Sequence, residues 1–295
     1  FLSDPDVIRL PRILWLPLLH LIILRVRPKK SSKLYQKIWS NNGSPLLYNT
    51  TLQLESLRNK INLENNNLFL DIAMRYGEPS IESKIKKFHG KGIRKILIIP
   101  MFPQYSTTTT RSIIKKTHSI LRKFNLTNKI FINVINDFHD NDLYINSCAN
   151  LIKKFQDNNG KPQKLLLSFH GIPKSYICDE EPYQKQCLIT SKLIAQKLNL
   201  QTGDYEIVFQ SRFGKAEWIK PYLAERLKKL PAENIKNIQV FCPGFVADCL
   251  ETIEEIGEES HDLFLNSKGL KFNFIPCLNN SSDYIEALIN IIKKN

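Results

Sequence analysis

The sequence predicts an α/β protein of two similar halves, each a parallel sheet flanked by helices in the Rossmann manner. Short apolar runs alternate along the chain with segments whose apolar residues recur at helical spacing. Each run stops at a turn rich in Gly, Pro and polar residues, as strands do where they open on a ligand crevice. The second half can also be laid over the first, turn upon turn.

The chain opens on Phe1-Leu2-Ser3-Asp4-Pro5. From Val7 to Leu24 apolar residues dominate, fringed by Arg9, Arg12, Arg25 and Arg27 and punctuated by Pro11, Pro17 and Pro28. The prolines are expected to prevent one long helix. Such a segment suits a lip over a flat apolar ligand that carries carboxylates, and reads equally well as buried packing. Lys33 to Trp39 and Leu46 to Asn59 read as helices, the second started by Gly43-Ser44-Pro45. Leu68 to Met74 reads as a strand closed by Arg75-Tyr76-Gly77-Glu78-Pro79, after which Ser80 caps a helix carrying Ile81, Ile85 and Phe88. A strand over Lys95 to Met101 leads into Phe102-Pro103-Gln104-Tyr105-Ser106 and the run Thr107 to Thr110. Lys129 to Ile135 gives another strand.

In the second half Leu165 to Phe169 is a strand buried on both faces, ending at His170-Gly171-Ile172-Pro173. Gln184 to Leu198 is a helix, Glu206 to Gln210 a strand closed by Ser211-Arg212-Phe213-Gly214, and Trp218 to Lys229 a helix. Ile238 to Cys242 runs into Pro243-Gly244-Phe245-Val246-Ala247-Asp248-Cys249-Leu250-Glu251. Lys271 to Ile275 is the last strand and Asp283 to Lys293 the closing helix.

On the overlay Arg75-Tyr76-Gly77 matches Arg212-Phe213-Gly214, and Pro100 to Phe102 matches Pro243 to Phe245. The strand ending at His170 has no counterpart in the first half, so the overlay predicts a missing N-terminal strand. The expected organisation is residues 1–140 as the first half with the lip, 141–280 as the second, and 281–295 as a helix packing back on the first.

Composition narrows the function classes. The formal charge is +14, but of 42 basic residues 31 are Lys, dispersed, and only 11 are Arg. Phosphate-reading surfaces favour clustered Arg, so nucleic acid is not the expected partner. The six cysteines, Cys148, Cys178, Cys187, Cys242, Cys249 and Cys277, include no C-x-x-C pair. They read as reduced thiols of a cytosolic protein. The apolar run Ile13 to Leu24 is interrupted and too short to cross a bilayer, which takes about 20 residues.

His170 and Asp248-Cys249-Leu250-Glu251 both follow the carboxyl ends of strands and should face one crevice. Glu251, Glu255 and Glu259 stand four residues apart, so a helix would align three carboxylates, either as a solvated acidic face or as a path for hydrated cations. An imidazole with a carboxylate makes an N/O site suited to a first-row divalent metal, weak enough to hand the metal on.

The segments around His170, Ser211-Arg212-Phe213-Gly214 and Pro243 to Glu251, with Phe102 to Ser106, Gly43-Ser44-Pro45 and Phe1 to Asp4, closely resemble the ferrochelatase family, over nearly the whole chain. The resemblance implies a class II chelatase-like fold and insertion of ferrous iron into protoporphyrin IX, with iron as substrate. It puts the metal-binding pair on His170 and Glu251, which also carry the catalysis, and the metal relay on Glu255 and Glu259. Porphyrin contacts fall on Arg75, Tyr76, Tyr105 and Ser106 and, in the lip, on Ile13 and Leu16. Members with an iron–sulfur cluster carry a cysteine where Thr107 stands and a cysteine group after the last helix, so no cluster is expected. The common Ser-Asp-His-x-Glu appears here as Ala247-Asp248-Cys249-Leu250-Glu251, which makes Cys249 a poor choice of essential ligand. The family begins with a strand running into an Asn-x-Gly-x-Pro turn, the piece that the overlay finds missing. A cytoplasmic monomer with peripheral membrane contact through the lip is expected. A chelatase for cobalt or for another tetrapyrrole such as coproporphyrin, and a tetrapyrrole-binding protein without catalysis, are the alternatives.

Overall fold

The computed structural model of the chain describes residues 1–62, 68–178 and 180–295. The prolines do not divide the N-terminal segment. Helix α1 (Arg12–Leu18), a π-helical turn (Leu19–Ile23) and α2 (Leu24–Ile38) follow one another directly, with Pro17 inside α1 and Pro28 inside α2. A proline within a helix costs about 3 kcal/mol. Here Trp15 and Leu19 bury against Ile8, each such side chain contributing about 1.5–3 kcal/mol, and Trp15 Nε1 donates to Leu2 O at 2.8 Å. Tertiary packing therefore outweighs the local signal.

Helix α3 (Pro45–Asn62) starts on the expected proline, whose missing N–H would be unpaired there in any case. Its buried Gln53 donates through Nε2 to Val246 O and Asn279 O, tying α3 to the second half. Helix α4 (Ile81–Gly90) is capped as expected, the Ser80 hydroxyl accepting from Ser83 N–H, with Ile81 and Ile85 buried. Strands β1 (Lys95–Ile98) and β2 (Phe131–Val134) pair in parallel on either side of α5 (Thr110–Lys123) in the chain.

Leu68 to Met74, expected as a strand, forms no ladder. Only Met74 bridges, to Ser80. A strand exists through its neighbours, and among the described residues this segment has no ladder partner.

After α6 (Asp142–Asn159) the second half forms a complete parallel sheet of β3 (Lys164–His170), β4 (Tyr205–Gln210), β5 (Asn237–Phe241) and β6 (Lys271–Phe274) in the order β4-β3-β5-β6. Helices α7 (Tyr183–Lys197), α8 (Leu223–Lys229) and α11 (Ser282–Lys293) flank it. Helix α8 starts later than expected, because Trp218 to Tyr222 forms a turn at Pro221 in which Trp218 N–H donates to Tyr222 Oη.

The strand order reverses between β3 and β5, and the crevice of an open parallel sheet lies outside the carboxyl ends at that point. Alternate residues of β3 serve two cores. Leu165, Leu167 and Phe169 join the cluster holding Tyr144 and Tyr284, and Leu166 joins Val208 and Val240 on the opposite face. Toward the carboxyl end that second face turns polar, with Ser168 and Gln210 buried above Leu166 and Val208.

The duplication is visible in the backbone. Gly77 and Gly214, which the overlay matches, both take positive φ, 82° and 73°, and each half ties its turn back to the preceding segment, Met74 N–H donating to Pro79 O and Phe209 N–H to Pro221 O. Tyr144 of α6 and Tyr284 of α11 are both fully buried. Helix α11 packs on α6 and α3, with Lys60 Nζ 2.7 Å from Glu286 Oε1.

Candidate active site

His170 ends β3, and its imidazole is half-buried. Its Nδ1 lies 2.7 Å from Gly171 O. A carbonyl can only accept, so Nδ1 carries the proton and Nε2 presents its lone pair, as a base or metal ligand must. Tyr183 Oη donates to His170 O at 2.9 Å, fixing the backbone that carries the ring. Trp218, buried, stands 6.5 Å from the imidazole between ring centroids. Gly171 is required there, since a Cβ would meet Gln210 O at 2.9 Å and Trp218 at 3.1 Å.

Glu251 and Glu255 come from the segment after β5. It is not one helix as expected but a four-residue turn of α-helix, α9 (Leu250–Ile253), a π-helical turn (Glu255–Ser260) and α10 (His261–Asn266). Glu251 and Glu255 are half-buried and Glu259 is exposed. The start is rigid. Cys249 caps α9 with its side chain accepting from Thr252 N–H while Cys249 N–H donates to Thr252 Oγ1, and Asp248 accepts from Thr252, Cys277 N–H and Asn279.

The Glu255 carboxylate accepts Ser211 N–H at Oε1 and Ser211 Oγ–H at Oε2. Burial pushes its pKa above the usual range; the Ser211 donors and the neighbouring His170 pull it back without cancelling the rise. On the outer side Lys37 of α2 reaches Glu254 at 3.3 Å and Glu258 at 3.1 Å. Tyr35, also on α2, has its phenol pushed up by burial and next by the nearby Glu251. Burial drives the Cys249 thiol well above its ordinary value, so it stays protonated.

The other expected contacts lie elsewhere. Arg75 Nη2, Tyr76 Oη and Ser112 Oγ all donate to Asp4 Oδ2, with Arg75 stacked on the Tyr76 ring. Burial and the bond to Asp4 push the Tyr76 phenol up to about 12. Ser106 is buried, its hydroxyl donating to Glu181 Oε2. Tyr105 lines a concavity with Asn136, Asp137, Glu180 and Pro182. Ile13 is 86% exposed, whereas Leu16 is half-buried beside Trp15 and Leu19. Thr107 is bonded to Arg9 and Glu181. Among the described residues, the one group of three His, Cys, Asp or Glu ligand atoms within 4.8 Å of each other is Asp137, His139 and Asp140, where His139 Nδ1 lies 2.7 Å from Asp137 Oδ1. His170, Glu251 and Glu255 do not draw so close.

The family profile described as Ferrochelatase matches residues 1–295. The chain belongs to the ferrochelatase family. Among curated relatives, the ferrochelatase of Idiomarina loihiensis is 42% identical over 299 residues, covering 100% of this chain and 81% of its own length. That of Wigglesworthia glossinidia brevipalpis is 45% identical over 295 residues, covering 99% and 90%. Among solved structures, SirB from Bacillus subtilis with Fe3+ matches with a TM-score of 0.60 at 13% identity, over 86% of this chain and 92% of that one, a likeness of fold. The matched family and the parallel sheet agree on a chelatase fold.

Sequence reasoning passed over Gln210, Ser211, Tyr183 and Tyr35 at this ferrochelatase site. Ser211 opens one of the quoted segments and Gln210 precedes it at the end of β4, where its register with His170 is the signal that could have singled it out.

Proposed function

We infer that the chain inserts ferrous iron into protoporphyrin IX to give protoheme, with loss of two protons from the pyrrole nitrogens. Family membership along the whole chain carries the activity. The observation that carries the chemistry is the His170 tautomer, with Nδ1–H on Gly171 O and the Nε2 lone pair left to act, while the charge of Glu255 would favour a positive imidazole. In this reading His170 and Glu251 receive the iron and His170 takes the pyrrole proton. Glu255 and Glu259 lead the cation inward from the exposed end of the row. Arg75 and Tyr76, now on Asp4, and Tyr105 serve the porphyrin side, with Ile13 and Leu16 forming the lip. Ser106 supports that loop through Glu181.

The protein works without a resident iron–sulfur cluster, supported by Thr107 being engaged with Arg9 and Glu181. It acts as a cytoplasmic monomer, its buried thiols free. Exposed Ile13, Leu14, Leu21 and Ile22 beside Arg12, Arg25 and Arg27 let α1 and α2 rest on an anionic membrane surface. Among the described residues no helix is long and apolar enough to cross a membrane. Flotation with anionic vesicles tests the contact: Ile13→Asp with Leu14→Asp should release the protein, and equal binding would remove this role.

The deciding assay offers iron or cobalt with protoporphyrin or coproporphyrin. Iron with protoporphyrin should be fastest; preference for another pair, or binding without turnover, would overturn the inference.

A further inference from the structure

Gln210 occupies the polar layer directly beneath the candidate site. Its side chain is buried, in register with His170 across β3 and β4. The amide oxygen accepts from Ser168 Oγ at 2.8 Å and from Cys242 Sγ at 3.5 Å. The amide nitrogen donates to Glu251 O at 3.0 Å and to Glu255 Oε2 at 3.4 Å. A primary amide has two donors and two acceptor sites, and all four are used, which also settles which end is nitrogen. Both donors leave the sheet for the acidic segment.

We propose that Gln210 is a positioning residue for iron handling: it holds the Glu251 turn and the Glu255 carboxylate toward His170. The proposal rests on the reading that Glu251 and Glu255 bind the incoming iron. The Glu251 backbone bond fixes where α9 begins relative to β4, hence where the Glu251 side chain starts. The Glu255 bond, with those from Ser211, orients the carboxylate. A buried amide serving stability alone would have no reason to act on iron and not on porphyrin.

Gln210→Met keeps length and bulk and removes every hydrogen bond, leaving the Ser168 hydroxyl unpaired. Pairing it with Ser168→Ala removes that orphan, and replacing both partners by apolar groups restores much of the lost stability. Initial rates with iron and porphyrin varied separately, together with melting curves, would be measured for Gln210→Met, for the double variant and for Glu255→Gln. The iron KM should rise about tenfold in Gln210→Met, from loss of a hydrogen bond to a charged group. It should stay raised in the double variant despite the recovered melting temperature, with the porphyrin KM within about twofold of wild type. An iron KM that returns with stability in the double variant would make Gln210 a purely structural residue and overturn the proposal. A normal iron KM in Gln210→Met beside a raised one in Glu255→Gln would overturn the proposal and leave the site reading standing. A normal iron KM in both would remove the site reading, and the proposal with it.

Discussion

Ser211 gives its backbone N–H to Glu255 Oε1 and its hydroxyl to Glu255 Oε2, both at 2.6 Å. The chain reaches this geometry by turning Ser211 into the left-handed region, φ 65°. In the proposed function, a carboxylate held this firmly would serve an incoming cation as a fixed station rather than as a swinging arm. Ser211→Ala keeps the N–H and loses the hydroxyl, and hydrogen bonds to charged groups contribute about 1.5–3 kcal/mol. The iron KM should therefore rise at least about tenfold with the porphyrin KM little changed. Steady-state rates check this; an unaltered iron KM would contradict the assignment of Glu255.

Cys249→Ser should be mild. The thiol is the N-cap of α9, and serine is a preferred residue at that position. Turnover should stay within about twofold of wild type and the melting temperature should hold, as expected for a cap exchanged for another cap. A loss of activity of about a hundredfold in a folded Cys249→Ser protein would instead make Cys249 a ligand.

Acid stability should depend on Asp71. Burial alone would raise its pKa, but hydrogen bonds from Lys84 and Lys87 bring the carboxyl down to about 2. The folded pKa lies below the unfolded value of about 3.9, so this contribution is complete above roughly pH 4 and lost as pH falls toward 2. In melting curves against pH, Asp71→Asn should be less stable than wild type near neutrality. The difference should shrink between about pH 4 and 2. A constant difference across that window would show that Asp71 does not titrate with folding.

The second half was legible because its signals are local and its neighbours are present. Three leucines between Lys164 and His170 could be read as a doubly buried strand, and β3 is flanked by β4 and β5 as that requires. Leu68 to Met74 carries a similar pattern yet forms no ladder, because pairing is a property of two segments and periodicity describes one. Pro17 and Pro28 misled for the converse reason, since burial of Trp15 and Leu19 is invisible in a local count of helix breakers. At the site, His170 and the acidic row stood out by chemistry and spacing. Gln210 and Ser211 did not, since an amide and a hydroxyl reveal their task only once their partners, forty residues on, are in place.

The most direct test of the account is the rate of iron insertion into protoporphyrin by His170→Ala, followed by the porphyrin spectrum, on protein whose circular dichroism and melting match wild type. Among the described residues the half-buried imidazole makes one hydrogen bond, to Gly171 O, so its removal should leave the fold intact. If His170 takes the proton and receives the metal, as proposed, its loss should lower turnover by at least about a hundredfold. Near-normal turnover in the folded variant would contradict the central claim.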